Sequence, residues 1–176
     1  MRVLIIGLNH QIQSARIGWS SDRKAQAFMD GQKNRLAMLV RDEIRKRHVE
    51  FVCEEARHGD VSVAETVSGE EGIPYINIEM SPETRSQASI PTSYNEDSSV
   101  SDADKTRWNR QREEHMLNAL VTSAKRAESI LVICGRMHAT ALTASLQCLG
   151  HSVEISDLQE QDWYVEDWFQ HMMHEL

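Results

Sequence analysis

The stretch "SILVICGRMHATALTASLQCLGHSVEISDL", residues 129–158, runs from an apolar segment (130–134) through Gly135-Arg-Met-His138 into residues of helical period. It closes at Gly150 and opens a second apolar segment (153–156). Short apolar runs separated by helical stretches are the pattern of a parallel sheet whose strands are joined by crossover helices. Arg136 and His138 stand where a buried strand hands over to a helix. A glycine at that point lets the backbone turn sharply and approach a ligand, and the imidazole then projects over the sheet edge from the helix start. The amino-terminal stretch "RVLIIGLNHQ", residues 2–11, repeats the device with Gly7 and His10.

Outward from these two segments, the apolar runs predict five strands, at 3–6, 50–53, 74–78, 130–134 and 153–156. Between the first two, residues 21–48 open with a cap-like Ser21-Asp22 and carry Phe28, Met29, Leu36, Leu39, Val40 and Ile44 on one helical face. A shorter helix is expected over 62–70. A long one follows Ser101, whose spacing to Asp104 resembles a capping box, with Met116, Leu117, Leu120, Val121 and Ala124 as its core stripe. The expected fold is a single α/β domain over 1–176, a mainly parallel five-stranded sheet with helices on both faces. Residues 81–101 are polar, Ser-rich and without period, and read as a long loop, either a lid carrying Arg85 or Tyr94 or a solvated connector. The stretch 162–176, "DWYVEDWFQHMMHEL", is amphipathic. It packs its aromatic stripe, Trp163, Tyr164, Trp168, Phe169 and Met172, on the domain itself or forms a homodimer.

Composition excludes several classes. The chain has 176 residues, 40% hydrophobic and 26% charged, which suffices for a core without disulfides or a structural metal. A net charge of −8 and the lack of a basic face argue against nucleic acid and anionic membranes as partners. Cys53, Cys134 and Cys148 lie in or beside apolar runs without metal-type spacing and read as small buried hydrophobes in a reducing, cytoplasmic setting. The first apolar run breaks at Gly7, so it reads as a strand rather than a signal peptide, and no run reaches membrane-spanning length. The basic run 45–48 complements a helix dipole, and the pair His171 and His174 reads as solvated.

In open parallel sheets ligands bind beyond the carboxyl ends of the strands, where strand order reverses. Here Asn9 and His10 follow the first strand, Glu54 and Glu55 end the second, Glu79 follows the third, Arg136 and His138 the fourth, and Asp157 the fifth. A strand order of 3-2-1-4-5 would set the reversal between strands one and four and bring His10 and His138 together. Two imidazoles with a carboxylate suit a divalent ion such as Zn or Mn, and equally a water for general-base attack. Glu54 and Glu55 alternate in direction, so at most one of them faces the cleft. The amides and Arg136 at the start of the helix after Gly135 also make an anion site.

"GLNH" at 7–10, "EE" at 54–55 and "GRMH" at 135–138, in that order and with Leu149-Gly150 before the last strand, resemble the superfamily of TraB, the Tiki proteins, ChaN and erythromycin esterase. "REEHM" at 112–116 resembles that group's Arg followed four residues later by Met, with Arg110 and Arg85 as rivals. The resemblance implies a compact α/β hydrolase with His10, Glu54, Glu55, Arg112 and His138 as catalytic residues, and His10, Glu55 and His138 as ligands of any metal. Gly7, Asn9, Glu79, Gly135 and Arg136 would contact a small-molecule or peptide substrate. Activities in the group include metal-dependent proteolysis, metal-free lactone opening and haem binding. Leu8 stands where the group often has Glu or Thr, which favours the alternative of a non-catalytic protein binding an anion, a phosphate compound or haem.

Overall fold

A computed structural model describes residues 1–8, 12–13, 23–92, 94, 97–158 and 161–164. Five strands, β1 (Arg2–Leu8), β2 (Phe51–Glu54), β3 (Tyr75–Asn77), β4 (Ser129–Gly135) and β5 (Ser152–Asp157), pair in parallel in the order β3-β2-β4-β1-β5. Every expected strand is present, extended by one to three residues or trimmed by one at its ends. The order corrects the expected one, because β1 and β4 exchange places and β4 takes the central position. All seven β4 residues are buried, which is why its sequence is a continuous apolar run rather than an alternating one.

The helices are α1 (Arg23–Arg47), α2 (Val63–Glu71), α3 (Pro82–Gln87), α4 (Asp102–Ser123) and α5 (Arg136–Cys148). α1 and α2 cover one face, where Met29, Leu36, Val40 and Val67 pack on Leu4, Ile6, Leu131 and Ile133. α4 and α5 cover the other, where Met116, Leu120, Leu142 and Leu146 pack on Val3, Ile5, Ile130 and Val132. Ser62 and Ser101 cap α2 and α4 through hydrogen bonds from Glu65 N and Asp104 N, and the left-handed Gly72 closes α2 (φ 69°). Gly7 faces α5. A Cβ there would sit 3.4 Å from the Arg136 Cα, an ordinary van der Waals contact, so β1 packs directly beside the helix start.

The stretch 81–101 differs from expectation. Ser81 caps α3, Pro82 opens it, and Met80, Ile90 and Tyr94 form a small core with Trp108. Its polar composition concealed a packed strap. Cys53 and Cys134 are buried as expected, but Cys148 is exposed at the end of α5. Trp163 and Tyr164 pack against the α1 side, where Gln32 Nε2 donates to Trp163 O at 2.6 Å, so the start of the tail docks on the domain itself. Trp168, Phe169, Met172 and Met173, with His171 and His174, lie outside the described residues. No helix among the described residues is long and apolar enough to cross a membrane.

Candidate functional site

The connection leaving β2 runs over one face toward β3, and the connection leaving β4 runs over the other face toward β5. The connection leaving β1 runs over the same face as that leaving β2, so β4 parts from both of its neighbours: the expected opening between β1 and β4 is kept, and a second lies between β2 and β4. Glu55 leaves the end of β2 here and His138 sits in the first turn of α5. Their side chains converge: His138 Nε2 is 3.7 Å from Glu55 Oε1. Glu55 Oε2 accepts from Gly135 N–H at 2.8 Å, so the positive end of α5 is met by the protein's own carboxylate. Of the anion site expected at that helix start, Glu55 takes the Gly135 amide.

Arg112 reaches the same point from α4. Its Nη2 donates to Glu55 Oε1 at 2.6 Å and to Glu79 Oε2, its Nε to Glu79 Oε1 at 3.3 Å, and its Nη1 to the Tyr94 hydroxyl at 3.3 Å. With 6% of its surface exposed, Arg112 is a structural cation shared between two buried carboxylates. Arg110 is exposed and pairs with Glu114, so of these two neighbours Arg112 is the one that faces the site. Glu79 also accepts from Met80 N–H, and Arg85 lies 3.0 Å from its Oε2. Burial opposes ionisation of Glu79. The hydrogen bonds and charge of Arg112, the charge of Arg85 and the Met80 amide outweigh it and hold the carboxyl at about 2.

Sequence reading missed Glu113. Its Oε1 is 2.9 Å from His138 Nδ1, across the α4–α5 contact. A neighbouring acid beside an expected arginine was visible, but its partner became legible only once the two helices were packed. His58, whose Nε2 is 2.9 Å from Glu79 O, was missed for the same reason.

Glu54 points to the opposite face and is no part of this cluster. Gln13 Nε2 donates to its Oε1 at 3.1 Å, Tyr75 OH to its Oε2 at 2.9 Å, and Ser62 Oγ to the same oxygen. Burial raises its carboxyl to about 7 despite these three donors. Gln13 Nε2 also donates to Glu55 O at 3.0 Å, so Glu54 ties the connection after β1, the cap of α2 and β3 to the end of β2. Leu8 is buried on this face too, and a side chain at that position points away from His138. Arg136 is exposed at the first position of α5. Asn9 and His10 lie outside the described residues. Burial pushes the Cys53 thiol up to about 12 and the Cys134 thiol well above its ordinary value, which removes both as thiolate nucleophiles.

A cleft of about 280 Å³ lies at the opposite, amino-terminal edge of the sheet, lined by Arg2, Lys46, Arg47, Ser129, Ser152 and Glu154 among others. Arg47 there is bonded to Glu154 at 2.6 and 2.7 Å and also to Glu43, and none of the expected site residues lines the cleft. Comparison of the chain with protein-family models, with curated protein sequences and with solved structures finds no match in any of the three.

Proposed function

We propose that the chain is a hydrolase acting on a small-molecule or peptide substrate, similar to the TraB, Tiki and erythromycin esterase group, with His138 as general base. The observation that carries this reading is the line Glu113–His138–Glu55, with Nδ1 at 2.9 Å from one carboxylate and Nε2 at 3.7 Å from the other. An acceptor at Nδ1 selects the tautomer that leaves Nε2 basic, and the Glu113 charge stabilises the imidazolium formed when water gives up its proton. The 3.7 Å gap is too long for a hydrogen bond, and a water bonded to both groups would lie beside it. Arg112 and the Gly135 amide hold Glu55 in position. Arg112 commits four of its five N–H donors to Glu55, Glu79 and Tyr94, so its main part is to hold the cluster together. Burial of two unpaired cysteines fits a reducing compartment, and we place the protein in the cytoplasm.

A divalent ion, Zn or Mn, would join His10 to Glu55 and His138 and would supply a Lewis acid and a more acidic water. The described donors do not by themselves fit one. Glu55 spends one oxygen on Arg112 and the other on Gly135, and no group of three or more His, Cys, Asp or Glu among the described residues is arranged to hold a metal. A second reading, ligand binding without turnover, is favoured by the 6% exposure of the His138 side chain.

The test is hydrolysis of p-nitrophenyl acetate, dihydrocoumarin and a fluorogenic peptide by the wild type and His138→Ala, with and without a chelator. Turnover of any one that disappears in His138→Ala supports the hydrolase. Equal rates for both proteins across all three overturn it and leave the binding reading. Loss on chelation, restored by Zn or Mn, assigns a metal.

A further inference from the structure

Arg85 and Arg112 share Glu79, yet they would leave it at unequal cost. Withdrawing Arg112 would strip Glu55, Glu79 and Tyr94 of a common donor inside the protein. If Arg85 turns away, Glu79 keeps three donors: Nε and Nη2 of Arg112 and the amide of Met80. The contact between Arg85 and Glu79 is an ion pair at 3.0 Å through Nη2 alone, and Glu79 is the one ion-pair partner of Arg85 among the described residues. A guanidinium carries five N–H donors in a planar fork, so most of those on Arg85 remain uncommitted. Its side chain is 17% exposed against 8% for Arg112. It also stands on α3, in the strap, separated from His138 by the chain of contacts Glu79, Arg112 and Glu55.

We propose that Arg85 receives an anionic group of the ligand, a carboxylate or a phosphate, by exchanging Glu79 for it while Arg112 keeps the rest of the cluster in place. This inference rests on the Glu55–His138 cluster being the functional site. A planar fork grips either anion through two parallel hydrogen bonds, which gives the exchange a geometric preference over simple charge attraction. The substrate class narrows accordingly to acids or phosphate compounds that present a hydrolysable bond toward His138.

The experiment follows the arginine Nε–Hε signals of the full-length protein by NMR during addition of sodium phosphate, sodium acetate or, as an ionic-strength control, sodium chloride. Arg85 is assigned by the signal lost in Arg85→Gln. The expected result is a saturable shift of that signal with phosphate or acetate but not chloride, with Arg85→Lys losing the affinity at least about tenfold and Arg110→Gln retaining it. The anion that saturates at the lower concentration identifies the chemistry. No saturable shift with either anion, an equal response to chloride, or undiminished binding in Arg85→Lys, read by the strap's own backbone amides, overturns the proposal. Because the measurement needs no turnover, anion binding without hydrolysis would remove only the catalytic reading, and hydrolysis without anion binding would remove only Arg85.

Discussion

Glu54 and Glu55 share a peptide bond, and their carboxylates lie on opposite faces of the sheet, the first among hydrogen-bond donors under α1 and α2, the second between Arg112 and α5. The folded state raises the Glu54 carboxyl from 4.5 to about 7, so it binds that proton more tightly than the unfolded chain does. Stability from this group is therefore full below about pH 4.5 and declines as pH rises through 7. Glu54→Gln removes the titration. Relative to the variant, the wild type should lose up to about 3 kcal/mol between pH 5 and 8 in urea unfolding. A constant difference across that range would show that Glu54 does not titrate there.

Glu79 gives the opposite limb. Its folded value of about 2 lies below 4.5, so its contribution is present above pH 4.5 and is lost as pH falls toward 2. Arg112→Met removes the cation shared by two buried carboxylates, leaving Arg85 beside Glu79 alone, and should cost about 3–5 kcal/mol at pH 7. Arg110→Met, at an exposed pair, should change stability by less than about 1 kcal/mol. Equal losses for the two arginines in chemical denaturation would contradict the buried network.

The proposed hydrolase gives the imidazole and the carboxylate at its Nδ1 separable roles. With any substrate that is turned over, His138→Ala should lower kcat by at least about 100-fold. Glu113→Ala should lower kcat by about 10-fold, leave KM within about twofold, and keep the thermal midpoint near that of the wild type, because Glu113 lies at the cluster's edge. A KM effect without a kcat effect would assign Glu113 to binding.

Two serine caps provide an internal comparison. Ser101→Ala removes a surface cap of α4 and should cost about 1 kcal/mol. Ser62 caps α2 and also donates to the buried Glu54, so Ser62→Ala should cost about 2–3 kcal/mol. Calorimetry on both variants orders the two costs, and the reverse order would remove Ser62 from the Glu54 cluster.

Strand positions were legible because 130–134 and 3–6 are unbroken apolar runs, a local property. Strand order was not, because it depends on which face each crossover helix covers, and the apolar stripe of α1 fits either side. The alternation of Glu54 and Glu55 could be read from the two-residue period of a strand, whereas the Glu113–His138 contact joins helices remote in sequence. The strap is a different kind of miss. Ser81-Pro82-Glu83 is a helix start written in cap and first-turn residues, and a serine-rich composition hid it. Arg112 was placed by its resemblance to a motif, but its two carboxylate partners became apparent only with Glu55 and Glu79 beside it.

The position of β1 has a consequence for synthesis. It is the first strand to leave the ribosome, yet its neighbours are β4 and β5, contributed by residues 129–157. Throughout translation of the intervening chain, Val3 to Ile6 have no strand to pair with and present apolar side chains on both faces together with two open backbone edges. Closure of the sheet is a late, long-range event, and such pairings fold slowly. Between those moments residues 3–6 are apolar surface of the kind that chaperones shield.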